Sequence, residues 1–227
     1  MSRKALMRLY LSSFRFGDCP DELLRLCGNG RRAAIIANGM DAQDAASRAA
    51  GVAREVRALG RLGFACTELD LREFFRARPG DLAAALGRSD VVWVRGGNVF
   101  VLRYALAASG ADAALVRLLA ADALVYAGYS AGPCVLAPSL RGLDAVDPPG
   151  RVIAAYGGAP VFAGLGVLPY AIVPHVESPE HPATVVLGAV AARYRSEGVS
   201  HRTLRDGDVL VVEADQTRVC AGGRASR

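Results

Sequence analysis

The sequence predicts an α/β fold, a three-layer sandwich in which a mostly parallel sheet lies between layers of helices. Short apolar runs rich in β-branched residues alternate with longer Ala, Leu and Arg segments of helical period, which is typical of parallel strands joined by helices. Strands connected in this way are covered on both faces. No internal repeat, low-complexity linker or step in composition divides the 227 residues, so we expect a single domain over residues 1–227.

The first strands are expected where short apolar runs are bounded by glycine, serine or charged residues. They cover residues 9–12, 32–37, 64–69, 91–94 and 124–127. Helices are expected between them, over residues 21–27, 42–59, 98–108 and 111–120. In the second of these helices, Ala46, Ala50, Ala53 and Val56 recur at intervals of three and four residues and so share one face.

The chain after Ser130 is expected to be less regular. A region punctuated by Gly and Pro, 138–166, is typical of turns and connections. Around it we expect a short helix, a strand, a longer helix and a closing hairpin that turns at Asp215 and Gln216. These elements cover residues 131–135, 171–173, 183–195, 208–213 and 218–220.

The charge of the chain does not indicate a polyanionic partner. Lys and Arg total 27 against 22 Asp and Glu, which gives a net charge of +5. The basic residues, all but one of them arginine, are scattered and never form a run of five, so we expect no nucleic-acid partner. The apolar runs are far shorter than the roughly 20 residues that cross a bilayer. With no signal-peptide pattern at the N-terminus, we expect no membrane association and a cytoplasmic location.

The cysteines and histidines do not form a metal-binding pattern. The five cysteines are odd in number and lack CxxC spacing, so we expect reduced thiols rather than a disulfide framework or a zinc site. They are Cys19, Cys27, Cys66, Cys134 and Cys220. The three histidines lack HExxH spacing. The sequence therefore predicts no metal and no cofactor.

The strongest local signal is Gly128-Tyr129-Ser130-Ala131-Gly132, a G-x-S-x-G sequence. It directly follows an expected buried strand and opens an expected helix. A strand that turns at once into a helix forces the central serine into a strained conformation and exposes its hydroxyl, while small neighbours let the backbone pass. The pattern predicts Ser130 as a nucleophile.

A serine hydroxyl needs an adjacent base, usually a histidine that a carboxylate orients. His175 is the candidate base, because it follows an apolar strand and a proline and so lies at the carboxyl edge of the sheet, where open α/β folds build their sites. His181 and His201 are expected at the solvated surface. The candidate acids are Asp144 and Asp147, which give the chain order Ser, Asp, His. Spacing does not choose between them, and both are also compatible with ordinary loop acids.

A second glycine-containing turn, Arg95-Gly96-Gly97-Asn98, stands where another strand ends and a helix begins. Glycines there let backbone N–H groups approach a ligand, and a helix N-terminus favours negative charge. The N–H groups of Gly97 and Ala131 are therefore candidates for an oxyanion hole, with Gly96 and Asn98 as neighbouring substrate-binding candidates. Asn98 is equally compatible with a role as the N-cap of the following helix.

These motifs together resemble the peptidase E (aspartyl dipeptidase) family of serine peptidases. The resemblance rests on Gly96-Gly97-Asn98, on Gly-Tyr-Ser-Ala-Gly and on Pro174-His175 after a strand, and it extends to Leu204-Arg205-Asp206-Gly207-Asp208 near the end of the chain. It implies a flavodoxin-like sandwich related to class I glutamine amidotransferases, whose elbow carries cysteine where this chain has Ser130. It also implies Ser130 as nucleophile, His175 as base and Gly96-Gly97 as the oxyanion loop.

The sequence departs from the family pattern at two places. The family's acid falls on Ala145, one position after Asp144 and two before Asp147. The stretch after the histidine, which in aspartyl dipeptidases contains acidic residues and an arginine, has no arginine here until Arg193. The resemblance therefore supports a serine hydrolase more strongly than specificity for Asp-X dipeptides.

We expect a serine peptidase that acts on small peptides as a dipeptidase does, with N-terminal Asp-X as one substrate to test. One alternative is a cyanophycinase-like or other amidase or esterase on the same scaffold. Another is a non-catalytic binding module with a decayed triad. The expected partner is a small peptide substrate, and the expected assembly is a monomer or a homodimer.

Overall fold

The computed structural model of the protein describes residues 7–78 and 80–221. Its strands are β1 Arg8–Ser12, β2 Arg32–Ile36, β3 Ala65–Glu68, β4 Val91–Val94, β5 Val125–Tyr129, β6 Ala171–Val173, β7 His201–Thr203, β8 Val209–Glu213 and β9 Gln216–Cys220. Seven of them form one sheet in the order β3-β2-β4-β5-β1-β8-β9, and β6 and β7 form a separate pair.

The first five strands run parallel, and β8 continues the sheet antiparallel between β1 and β9. Gly128 of β5 lies opposite Leu11 of β1 on one side and Val94 of β4 on the other. The carboxyl ends of these three strands therefore lie side by side. The loops that follow them meet at one edge of the sheet, where open α/β folds bind ligands.

Helices cover both faces of this sheet. They are α1 Pro20–Cys27, α2 Ala45–Arg61, α3 Asp81–Leu86, α4 Val99–Ser109, α5 Ala111–Ala120, α6 Ala131–Cys134, α7 Arg151–Tyr156 and α8 Thr184–Ser196. Helices α1 and α2 pack on the face that carries Trp93, and the other helices pack on the face that carries Val92 and Tyr126. All three side chains are fully buried, because successive residues of a strand point to opposite faces and both faces are covered. The predicted three-layer α/β sandwich is the observed architecture.

The predicted elements are present with small shifts at their ends. Strand β5 continues through Tyr129, because the last residues before the serine still pair with β1. The hairpin of β8 and β9 turns at Ala214 and Asp215, one residue earlier than predicted. Gln216 already pairs with Glu213, so β9 begins where the turn was expected to end.

Three elements were not predicted, namely α3, α7 and β7. Helix α7 lies within the region expected to consist of turns, and residues 148–150, Pro-Pro-Gly, directly precede its first residue. Prolines are compatible with the first turn of a helix, and Gly157, with a φ of 69°, ends it. Strand β7 is short and polar and pairs with β6 alone. These segments take their structure from their neighbours rather than from a periodic pattern of their own.

The prediction that all five cysteines are reduced is wrong for one pair. Cys19, just before α1, and Cys220, the last residue of β9, form a disulfide with a Cα–Cα distance of 6.4 Å. They are 201 residues apart in the chain. Cysteine count and CxxC spacing therefore do not show that the fold brings them together. Among the described residues, the free cysteines are Cys27, Cys66 and Cys134.

No single helix in the described ranges is both long and apolar enough to cross a membrane. Helices α4 and α5 meet the length and composition criteria only as a pair, and they are bent by 84° at the break between them.

Candidate active site

A cavity of about 250 Å³ lies at the carboxyl edge of the sheet, beside the ends of β4 and β5. The residues of its lining that bear on chemistry are Gly97, Ser130, Ala131, Asp147, His175 and His181. Apolar side chains that include Val99, Leu143 and Leu187 complete the wall. The cavity thus combines groups that can react or bind charge with a largely apolar surround, as small-molecule sites do.

Ser130 has the strained backbone of a nucleophile elbow. It joins β5 to α6 with φ 56° and ψ −112°, a conformation that L-residues rarely adopt. The two glycines of the motif allow this turn to pass against β4. A Cβ atom at Gly128 or Gly132 would lie 2.3 or 2.4 Å from the carbonyl oxygen of Val94. The G-x-S-x-G spacing is therefore a steric requirement of this fold, as the sequence predicts.

His175 is hydrogen-bonded to the serine. Its Nε2 lies 3.0 Å from Ser130 Oγ, and its ring is almost completely buried. The residue follows β6 and has a φ of 59°, and its backbone N–H donates to Ser13 Oγ at 2.8 Å. The predicted pairing of Ser130 with His175 is thus present in the structure.

The carboxylate beside His175 is Asp206, which is not one of the two predicted acids. His175 Nδ1 lies 2.6 Å from Asp206 Oδ1, and the Ser13 hydroxyl donates to the same oxygen at 2.8 Å. Burial alone would raise the pKa of Asp206, but the hydrogen bonds from His175 and Ser13 outweigh it and lower this pKa below its usual value. Because an ionised carboxylate only accepts hydrogen bonds, Nδ1 carries the imidazole proton and Nε2 is left to accept from Ser130.

In the described part of the chain, neither predicted acid is hydrogen-bonded to His175. Asp144 is exposed and accepts from the backbone N–H of Gly142 at 2.8 Å. This hydrogen bond stabilises the short helical turn that follows Gly142. Asp147 lines the cavity, but its Oδ2 accepts from the N–H of Val99 at the start of α4, at 2.8 Å. Burial raises the pKa of Asp147 to about 6, although the Val99 hydrogen bond and His175 act in the opposite direction. The chain order of the hydrogen-bonded residues is therefore Ser, His, Asp.

The glycine-containing turn after β4 lies against the serine, as predicted. A Cβ atom at Gly96 would lie 3.0 Å from Ser130 Cβ, and Gly97 and Ala131 both line the cavity. In the described part of the chain, the N–H groups of Gly97 and Ala131 donate no hydrogen bond. Asn98 is the N-cap of α4, since its side-chain oxygen accepts from the N–H groups of Phe100 and Val101, both at 3.0 Å.

A buried ion pair lies beneath these two turns. Glu55 of α2 accepts hydrogen bonds from the Trp93 indole and the Tyr129 hydroxyl, both at 2.9 Å. Arg95 Nε lies 3.2 Å from the same carboxylate, and Arg95 donates to the carbonyl of Gly96 at 2.8 Å. One glutamate on α2 therefore ties the end of β4 to the end of β5.

His181 was expected at the solvated surface, but it lies in the cavity against the base. Its ring is stacked on that of His175, with centroids 3.5 Å apart and planes within 1° of parallel. His175, His181 and Asp206 bring possible metal-ligand atoms within 4.8 Å of one another. Two parallel stacked rings direct their in-plane lone pairs side by side, however, rather than at one point as a tetrahedral ion requires. The arrangement favours proton transfer over metal coordination.

Three residues of this site were missed by sequence reasoning. They are Ser13, His181 and Asp206. Asp206 follows His175 in the chain and lies in a polar turn before the last strands. The acid was expected between Ser130 and His175, so Asp206 fell outside that segment. Asp206 reaches the site because Leu204 donates to Val173 at 3.0 Å, which continues the pairing of β7 with β6.

Comparison with known proteins gives one family and several relatives. The model of Peptidase family S51 matches residues 15–220. Peptidase E of Streptomyces coelicolor is 35% identical over 156 residues, which are 65% of this chain and 58% of that protein. An uncharacterized peptidase of Listeria innocua is 26% identical over 168 residues, which are 74% of this chain and 76% of that protein. The alignment thus spans little more than half the length of the Streptomyces protein.

Solved structures share the fold. A candidate peptidase E protein from Listeria monocytogenes EGD-e superposes with a TM-score of 0.77 at 20% identity, over 96% of this chain and 99% of that one. A peptidase from an acI-B1 Actinobacterium superposes with a TM-score of 0.70 at 14% identity, over 96% of this chain and 89% of that one. These likenesses confirm the predicted fold class.

Proposed function

The chain belongs to peptidase family S51, and we propose that it hydrolyses short peptides through an acyl-enzyme formed on Ser130. Membership in the family confirms the resemblance seen in the sequence and, with it, the serine peptidase class. The observation that carries the proposed mechanism is the continuous hydrogen-bonded chain from Ser130 through His175 to Asp206. A complete chain of this kind disfavours the alternative of a binding module with a decayed triad.

In the proposed reaction, Ser130 Oγ attacks the carbonyl carbon of the peptide bond while its proton passes to His175 Nε2. Asp206 accepts from Nδ1–H throughout and stabilises the imidazolium that forms. The C–N bond then breaks, and the leaving amine takes the proton from Nε2. A water molecule attacks the resulting ester, gives its proton to Nε2, and releases the acid as that proton returns to Ser130.

The oxyanion of each tetrahedral intermediate is proposed to bind the N–H groups of Gly97 and Ala131. Both groups border the cavity beside Ser130, and they are held on the backbone of two turns tied together by Glu55. Donors that are already oriented stabilise developing charge without reorganising. Gly96 supports this arrangement by allowing the turn to approach Ser130 closely.

Asp147 is proposed to bind the free amino group of the substrate. Its carboxyl group is largely buried in the cavity that holds Ser130, and its described hydrogen bond is the one from Val99. Burial raises the pKa of Asp147 because it penalises the charged form, and a bound ammonium group would offset that penalty. A carboxylate that binds the N-terminus, in a cavity of this size, supports short peptides with a free amino group as the substrate class.

The test is a panel of dipeptides, including Asp-X, each with a free and an acetylated amino group, together with aryl esters and amide polymers. Free dipeptides are expected to be cleaved with a kcat/KM about 100-fold above that of their acetylated forms, since a buried carboxylate would face no cation in the latter. Asp147→Asn is expected to remove this preference through KM, whereas Asp144→Asn, altered nearby but outside the cavity, retains it. Equal cleavage of free and acetylated peptides contradicts the role of Asp147, and cleavage of esters or polymers alone contradicts the substrate class.

A further inference from the structure

The second imidazole of the cavity, that of His181, has no part in the reaction described above, yet it lies face to face with the base. His175 and His181 are stacked face to face with centroids 3.5 Å apart. The Phe14 ring packs edge-on against both, at 6.0 Å from His175 and 5.8 Å from His181. The base is therefore held between hydrogen bonds in its plane and rings against its surface.

His181 is itself firmly positioned. Its backbone N–H donates to Ser178 O at 2.8 Å, which closes a turn. The hydroxyl of Ser178 accepts from the N–H of Asp206 at 2.8 Å. The backbone N–H of Ser178 donates to Thr184 Oγ1 at 2.9 Å. The turn that carries His181 is thus bonded to the loop that carries the acid of the proposed triad.

The hydrogen bonding of His181 specifies its neutral form. The N–H of Ala183 donates to His181 Nδ1 at 3.2 Å, so this nitrogen has no proton and the neutral ring carries its proton on Nε2. Protonation at Nδ1 would break that bond, because the new Nδ1–H and the N–H of Ala183 would both be donors. A neutral ring stacks on His175 in either protonation state of the base, whereas a charged ring opposes the imidazolium that the reaction requires.

We propose that His181 is a positioning residue, which holds His175 in line with Ser130 while its own ring is neutral and disables the base when that ring is protonated. The effect of His181 on catalysis rests on the proposed function. The coupling between the two rings is independent of that function. Burial and the neighbouring His175 lower the pKa of His181, with Asp206 acting in the opposite direction. The neutral form therefore predominates at neutral pH.

In the described part of the chain, the charged or titratable groups near His181 are four carboxyl or imidazole side chains, one arginine and, in the cavity wall, the thiol of Cys134. His175 and Asp206 face it, Asp147 lies across the same cavity, Glu180 precedes it in the turn, and Arg15 lies over the Phe14 ring with its Cζ 5.0 Å from the centroid. Asp206 favours a proton on His181, so the feature that disfavours a charge on both rings at once is the contact between them.

The coupling is measured by NMR titration of the imidazoles, which is tractable because the chain has three histidines. In His175→Phe, which keeps a ring in the stack but removes its charge, His181 is expected to titrate at higher pH than in the wild type. An unchanged His181 titration overturns the coupling, whether or not the protein is a peptidase.

The consequence for the base is measured by the rate at which a fluorophosphonate labels Ser130, since this probe has no amino group for Asp147 to bind. His181→Phe is expected to label within about threefold of the wild type at neutral pH, and His181→Ala about tenfold more slowly. As the pH falls, the wild-type rate should fall more steeply than that of His181→Phe, because only the wild type can lose the base through a second protonation, on His181. His201→Ala, a histidine on β7 outside the cavity, should match the wild type.

A ring that only fills space would give the same pH profile in the wild type and in His181→Phe. That result, or a wild-type labelling rate in folded His181→Ala, overturns the proposal. Failure of the wild type to label Ser130 at all counts instead against the proposed function, and in that case the NMR titration still decides the coupling.

Discussion

At the scale of single residues, the proposed reaction depends on the contact between Asp206 and His175. The carboxylate accepts a hydrogen bond from Nδ1–H of His175. It thereby fixes the tautomer and leaves Nε2 to face Ser130. An asparagine at position 206 has the same shape, but it can present an N–H to the ring and stabilise the wrong tautomer.

We therefore predict that Asp206→Asn lowers kcat by about 10⁴-fold with little change in KM, as the loss of a triad carboxylate does elsewhere. Asp144→Asn is the matched control, because it removes one carboxylate of the same type outside the cavity and should keep full activity. Steady-state kinetics on one good dipeptide decides between them. Loss of activity in Asp144→Asn but not in Asp206→Asn would instead support Asp144, one of the two acids that the sequence left open.

At the scale of secondary-structure elements, α2 joins the two turns that carry the proposed nucleophile and oxyanion donors. Glu55, only 4% exposed, is bonded to the ends of both β4 and β5. Arg95 is also buried, so removal of the glutamate leaves a cation without its partner. Breaking a buried ion pair on one side is strongly destabilising.

Glu55→Ala is predicted to lower the free energy of unfolding by about 3 kcal/mol and to reduce kcat in the protein that remains folded. The reason for the second effect is that Arg95 also bonds the carbonyl of Gly96. Urea denaturation and kinetics measure the two effects. Glu73→Ala, at an exposed position, should change neither, and a Glu55→Ala protein as stable as the wild type contradicts this interpretation of the ion pair.

The sequence predicts those parts of the site that local geometry determines. Ser130 stands in a strand-turn-helix whose steric needs appear as glycines at fixed spacing, and His175 follows a recognisable apolar strand. Asp206 contacts His175 across 31 residues, and it does so only because the short polar strand β7 pairs with β6. His181 is adjacent to prolines and charged residues that indicate a surface turn. No feature of the neighbouring sequence indicates that this turn folds back onto His175.

At the scale of the whole molecule, the disulfide closes almost the entire chain into one loop. Cys19 precedes α1 and Cys220 ends the edge strand β9, so the bond ties the segment after β1 to the sheet edge that lies beyond β8. Cross-linking residues so distant in the chain restricts the unfolded state more than the folded one.

We predict that Cys220→Ser lowers the free energy of unfolding by about 2 to 5 kcal/mol without reductant, and that reductant brings the wild type to the same value. Cys66→Ser, which removes a free thiol, should show the wild-type response to reductant. Guanidinium denaturation measures stability, and alkylation of the unfolded chain followed by mass spectrometry counts thiols. Five reactive thiols without reductant would contradict the disulfide and support the reduced state expected from the sequence.

Whether Ser130 is an activated nucleophile is measured by fluorophosphonate labelling, mapped by peptide mass spectrometry, alongside dipeptide turnover. We expect one adduct, on Ser130, with turnover lost in proportion to labelling. We also expect that Ser130→Ala takes no label and loses several orders of magnitude in kcat. An adduct on another residue, or undiminished turnover by Ser130→Ala, would contradict this role of Ser130.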